Sequence, residues 1–220
     1  GTGPVTPGET TIWWEESFED QSTYSNWHIV DNDGDGDYWN IYNEASQAAE
    51  GSLWAGSKSW DQALGAITPN NWLFSNPGFE MPANAKISFK VNDVGGHGEH
   101  FEFLIGPMDA MVGTTVYLDM FDTILAEDVS GGSYTEYTVD LSEYEGQQIY
   151  VAWRHCDCSD GFYLALDDIK IFTPAGGDEP DHTPSPDPEP GDALFGEFFE
   201  EDPTVDWTFV DADGDGNNWI

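Results

Sequence analysis

Apolar and polar positions alternate through the middle of this chain. After Pro82, the residues Ala85, Ile87, Phe89 and Val91 interleave with Lys86, Ser88 and Lys90, as in a strand with one face in a core. The segment E-H-F-E-F-L-I-G does the same, placing Phe101, Phe103 and Ile105 on one side. Further strands are expected at residues 39–42, 53–60, 70–74, 114–118, 134–141, 148–154 and 162–172, with turn residues between them. The stretch opening at Ile12 alternates imperfectly through Trp14, Glu16 and Phe18, which suits an edge strand. That makes about nine or ten short strands and no long amphipathic helix, a pattern that predicts an all-β jelly-roll sandwich.

One stretch breaks the alternation. W-H-I-V-D-N-D-G-D-G-D-Y-W, residues 27–39, sets Asp31, Asp33 and Asp35 at alternate positions with Gly36 directly after them. Three carboxylates in that arrangement can curl around one hard cation while a residue without Cβ makes the sharp turn, so the stretch reads as a Ca2+ loop. Without a cation, the repulsion among them would be unfavourable. Position twelve of an EF-hand would fall on Tyr42, which cannot supply the bidentate carboxylate. The loop must therefore borrow ligands, and Glu19, Glu99, Asp167 and Asp168 are the candidates. Asp167 and Asp168 sit inside an apolar run, where a nearby cation or Arg154 would relieve the expense of burying them.

The loop recurs as W-T-F-V-D-A-D-G-D-G-N-N-W at residues 207–219, with Asp211, Asp213 and Asp215 as the matching carboxylates. Asp37 becomes Asn217, whereas the three alternate aspartates persist. The division that follows is a linker at 1–11, a complete module at 12–173, an acidic Pro-rich linker at 174–194 and the start of a second, incomplete copy at 195–220. Such a fragment is too small to fold alone. It is expected to be completed by another chain, as a neighbouring repeat or by strand addition in a filament.

Charge narrows the function. The chain carries 43 acidic and 5 basic residues and a formal net charge of −38, which excludes the phosphate backbone of nucleic acids as a main partner. No run spans a bilayer, and no signal peptide opens the chain, so Gly1 is expected to be an internal or processed start. Cys156 and Cys158 are too close for an unstrained disulfide, and two thiols alone do not make a zinc site. H-G-E-H at 97–100 follows a glycine turn and lacks the helical spacing of zinc proteases. There is no G-x-S-x-G, P-loop or dinucleotide fingerprint, so enzyme activity is not expected.

Five ordered blocks carry a likeness to a known family: the loop at 27–39, S-x-S at 57–59, T-P-N-N-W-L at 68–73, E-H-F-E-F at 99–103, and V-A-W-R-H at 151–155 followed by Y-L-A-L-D-D-I at 163–169. The module resembles the cleaved-adhesin, or choice-of-anchor J, domains that occur in tandem in gingipain and haemagglutinin adhesins of Bacteroidota, and its ends look like those of MAM-type jelly rolls. The resemblance implies that the first and last strands lie side by side and share a cation, with Glu19 and Asp168, and less directly Asp167, as ligands. It implies an extracellular or cell-surface adhesion module whose partners are proteins or other copies of itself. Two alternatives remain from the residues themselves. A carbohydrate-binding module would bind glycans through exposed tryptophans, Trp54 and Trp60 being the candidates. A halophilic surface-layer domain would owe its charge to salt.

Overall fold

The computed structural model describes residues 9–175, so the acidic linker beyond 175, the second copy and its Asp211, Asp213 and Asp215 lie outside the described residues. Twelve strands form two antiparallel six-stranded sheets. The first runs Thr135–Asp140, Lys86–Val94, Tyr163–Thr173, Leu53–Lys58, Asn40–Asn43, with Thr11–Glu16 also paired to Tyr163–Thr173. The second runs Asp122–Val129, Glu99–Pro107, Gln148–His155, Asn71–Ser75, Trp27–Asp31, with Phe79–Glu80 paired to Gln148–His155. This is the expected sandwich.

Alternation put the core where it was anticipated. Ala85, Ile87, Phe89, Val91, Phe101, Phe103 and Ile105 are all buried, packed between the sheets with Trp153, Leu164 and Leu166. Phe89 sits at the centre, with its ring 5.2 Å from both Phe103 and Trp153 and 5.7 Å from Tyr137. A second apolar cluster, Trp72, Phe74, Leu104, Phe121 and Tyr150, includes neighbours from both sides of the Asn71–Ser75 strand, all of whose residues are buried. Such a strand reads as a continuous apolar run, because both faces are covered.

The last strand does the joining. Its Tyr163–Leu166 half pairs with Lys58–Ala55, and its Ile169–Thr173 half pairs with Glu16–Thr11, while Lys86–Val94 holds its other edge along the whole length. The partner changes at an irregularity between Asp167 and Lys170, where Asp168 takes a left-handed φ of 49°. First and last strands are therefore neighbours, as the resemblance implied.

Three expectations need correcting. Residues 114–118 do not form a sheet strand: Thr115–Val116 makes a two-residue ladder with Met111–Val112, followed by a 3-10 turn at Leu118–Met120. The strand Asp122–Val129 had no sequence signal, because it is an edge with only Val129 buried and so shows no alternation. Trp27–Asp31 was read as part of the acidic loop; it is a strand on Asn71–Ser75, and only its last residue, Asp31, enters the loop.

Truncating Phe89 to Ala is expected to lower unfolding free energy by about 3–5 kcal/mol, measured by urea denaturation, because the void lies where both sheets meet. Truncating the exposed Val112 should change it by no more than about 0.5 kcal/mol.

Candidate functional site

The acidic loop closes as the glycine predicts. Gly36 has a φ of 89°, and its amide donates to Asp31 Oδ2 at 3.0 Å while the Gly34 amide donates to Asp31 Oδ1 at 2.7 Å. Asp33 reaches across to the second sheet, where its Oδ2 accepts from the Asn70 amide at 2.7 Å. One carboxylate oxygen from each of Asp31, Asp33 and Asp35 lies within 4.8 Å of the others. Burial raises both Asp31 and Asp33, but a hydrogen bond from Asp33 and the loop amides hold Asp31 below the ordinary range, while Asp33 stays above it.

No basic side chain relieves this crowding. The chain's five Lys and Arg residues are all described, and each has other partners. Lys58 bridges Asp37 at 3.2 Å and Asp61 at 3.0 Å, Lys86 meets Asp140, Lys90 and Lys170 both hold Asp168, and Arg154 meets Glu102 at 2.9 Å. Arg154 is thus not the relief for Asp167 and Asp168; Lys90 and Lys170 serve Asp168 alone and keep it below its usual range against the effect of burial.

The other borrowed ligands do not enter the acidic loop. Glu19 Oε1 accepts from the amides of Ser52 at 2.6 Å and Leu53 at 2.5 Å. Asp167 Oδ2 accepts from Ala49 at 2.8 Å and Glu50 at 3.2 Å, and burial pushes its pKa up to about 6 despite those bonds. Glu19 and Asp167, which follow the first strand and lie in the last, thus clamp the same Ala49–Leu53 backbone from two directions. Among the described residues, Glu19, Asp167 and Asp168 do not form a three-carboxylate cluster as tight as that of Asp31, Asp33 and Asp35.

Glu99 has a different setting. It is 2% exposed and accepts from Ser59 Oγ at 2.6 Å, the Phe162 amide at 2.7 Å and His155 Nε2 at 3.0 Å. His155, fully buried, turns its Nδ1 to Ser57 Oγ at 2.8 Å, and Asn71 Nδ2 donates to the same hydroxyl at 3.1 Å. Cys158 Sγ completes the group, 3.2 Å from both Glu99 Oε2 and His155 Nε2. Burial lowers His155, so the ring is neutral; burial would raise Glu99, but its hydrogen bonds from His155, Ser59 and Phe162 hold it down. Sequence reasoning missed Ser57, Asn71, His155 and Cys158, which come from three separate stretches of chain. The sole signal was that three of them lie inside the blocks that carry the family likeness.

The two tryptophans part company. Trp54 is 2% exposed and stacks on Tyr42 at 4.8 Å between ring centres, so it belongs to the packing and has no face for a sugar. Trp60 is half-buried and lines an open cleft of about 550 Å³ with His97, Asp160 and Phe162.

The sequence profile of the Cleaved Adhesin Domain matches residues 11–171 and again residues 193–220. Among curated relatives, Hemagglutinin A of Porphyromonas gingivalis is 27% identical over 93% of this chain, and Lys-gingipain of the same organism is 31% identical over 97%. The chain spans 14% and 12% of those proteins' lengths. Among solved structures, the K1 cleaved adhesin domain of Lys-gingipain is 28% identical with a TM-score of 0.60, aligned over 74% of this chain and 98% of that domain. The K2 domain is 27% identical with a TM-score of 0.56, over 72% and 98%.

The buried network has a pH signature. A carboxylate held low stabilises the fold above its unfolded pKa, and that contribution disappears as pH falls through the folded value. A histidine held low acts in the same direction, since the unfolded chain takes up a proton below its ordinary value of 6.5 that the folded chain refuses. In metal-free buffer with chelator, the stability difference between the parent and Glu99→Gln should therefore be largest near pH 7 and shrink on acidification below 4.5, read from urea melts at each pH.

Proposed function

The chain belongs to the cleaved adhesin domain family, and we propose that it serves as a calcium-stabilised adhesion and assembly module of a secreted, tandemly repeated surface protein. The observation that carries this is the second appearance of the family profile at residues 193–220, after a complete match at 11–171. A module whose neighbour in the chain is another module is built for multivalent contact, in which each weak site gains from the effective concentration set by its linker. The acidic, Pro-rich 174–194 segment suits a semi-rigid spacer between them.

Ca2+ supplies what the side chains lack. Asp31, Asp33 and Asp35 converge with no Lys or Arg among them, and an oxygen-only donor set suits a hard cation. A second ion is proposed beside the Ala49–Leu53 backbone, where Glu19 and Asp167 approach the same segment, with Asp168 next to it. Calcium there would fasten the paired first and last strands, so that each linker leaves the sandwich from a fixed point. Partners are proteins or further copies of the module, with contacts made once cations screen the −38 charge. The Trp60 cleft supports a second reading, glycan binding, since one aromatic face beside polar groups is the minimal sugar platform.

Thermal unfolding of the chain in Ca2+ or EGTA at constant ionic strength tests the reading. A saturable rise is expected, about 2.7 kcal/mol of stabilisation when free Ca2+ is a hundredfold above its Kd, reduced in Asp31→Ala and Asp33→Ala. Equal stabilisation by NaCl would reject specific sites and favour the halophilic alternative. Loss of glycan-array binding in Trp60→Ala would move the second reading ahead.

A further inference from the structure

We propose that Glu99, His155 and Cys158 form a binding site for one thiophilic divalent cation, of which Zn2+ is the best match. Their donor atoms make a small triangle: Nε2 to Oε2 at 3.0 Å, Sγ to Oε2 at 3.2 Å and Sγ to Nε2 at 3.2 Å. Zinc bonds of about 2.0–2.3 Å arranged tetrahedrally separate such donors by about 3.3–3.6 Å, so the triangle needs to open by only a few tenths of an ångström. Oxygen, nitrogen and sulfur together also select the ion. Ca2+ takes oxygen ligands, whereas a mixed imidazole, thiolate and carboxylate set suits Zn2+.

The surroundings are those of a supported site. His155 is fully buried, and its Nδ1 rests on Ser57 Oγ, a hydroxyl able to accept from Nδ1–H and so leave Nε2 free for a metal. Ser57 is in turn held by Asn71, whose own Oδ1 is buried without a partner. Glu99 is a buried carboxylate that meets only neutral donors, since every Lys and Arg is engaged elsewhere. One divalent ion bound by Glu99 carboxylate, neutral His155 and Cys158 thiolate leaves the site with no net charge. The thiol proton goes to solvent, and the Nε2 proton moves to Nδ1. Access is short as well. The open cleft beside Trp60 is lined by Gly161, and a Cβ there would run into Glu99 and Ser59, so Gly161 touches Glu99 from a position that also lines the cleft.

A second trio, His100, Cys156 and Asp157, also gathers within 4.8 Å, but it is the weaker set. His100 Nδ1 is already held by Asp128 at 2.7 Å, and Asp157 is exposed. The two trios make the test specific, because the cysteines can be exchanged one at a time.

The full chain is stripped with chelator, kept reduced with a phosphine, saturated with Ca2+ to fill oxygen-only sites, and titrated with Co2+. The expected result is one equivalent of Co2+ that develops a sulfur-to-cobalt charge-transfer band and tetrahedral visible bands, both erased by Zn2+. Cys158→Ser should abolish the charge-transfer band, and Cys156→Ser should keep it. Ser57→Ala should keep the band but weaken affinity by about 10–100-fold, as expected when the support of a ligating imidazole is removed. A parent chain that binds Co2+ without the sulfur band, or a band that disappears with Cys156 rather than Cys158, would overturn the assignment. Circular dichroism of each variant separates lost binding from lost folding, and should Cys158→Ser unfold, Cys158→Ala and alkylation of Cys158 in the folded parent give the same readout.

Discussion

A chain with 43 acidic side chains and five basic ones cannot settle most of its buried carboxylates with Lys or Arg ion pairs, and among the described residues Asp168 is the buried one that has them. Burying such a group without compensation is expensive, and this shortage of cations shapes the whole module. Backbone amides do most of the work. Glu16 takes the Phe18 amide and the Trp27 indole, Asp93 takes the amides of Gly98 and Gly132, and Asp167 takes those of Ala49 and Glu50. Each carboxylate thereby fixes a turn or loop to the sheet, so the acids become fasteners between segments far apart in the chain.

At two places carboxylates gather with other donors beside the amides. At the Asp31 loop the carboxylates of Asp31, Asp33 and Asp35 face one another near the surface, an oxygen-only set of the kind proposed above to take Ca2+. At Glu99 the carboxylate is enclosed with a neutral imidazole, a hydroxyl and a thiol, and the donors change from oxygen alone to a mixed set. The two are linked through neighbouring residues: Asp33 holds the Asn70 amide, and Asn71 holds Ser57. Loop and network therefore stand on adjacent residues of the Asn71–Ser75 strand and its lead-in.

The last strand carries the second constraint. It must pair with two different neighbours on one edge, and the bulge at Asp167–Asp168 is where it turns from one to the other. Lys90 and Lys170, two of the five cations, are placed at that bulge, which marks it as a point where local strain and burial coincide. Entry and exit of the module are held together at the far end of the pairing between first and last strands, where Thr11 stands opposite Thr173.

Much of this was legible from residues alone. Period-two alternation located the core strands, because one buried face selects apolar residues at every second position, and the D-x-D-x-D-G spacing located the loop, because its turn depends on a local glycine. Ordered blocks named the family. The edge strand Asp122–Val129 was illegible, since its half-buried Ile124 and Leu125 are consecutive, beside a register shift, and only Val129 is fully buried, which leaves no alternation. Trp54 and Trp60 looked alike in sequence and were separated only by what packs on them. The trio of Glu99, His155 and Cys158 was equally hidden: it depends on the register that sets Phe101 opposite His155 and brings Ser57 and Asn71 beneath it. Local chemistry, which acts over a few residues, was determined by the sequence itself. Which distant donors meet was decided by sheet pairing, a cooperative property of the whole fold.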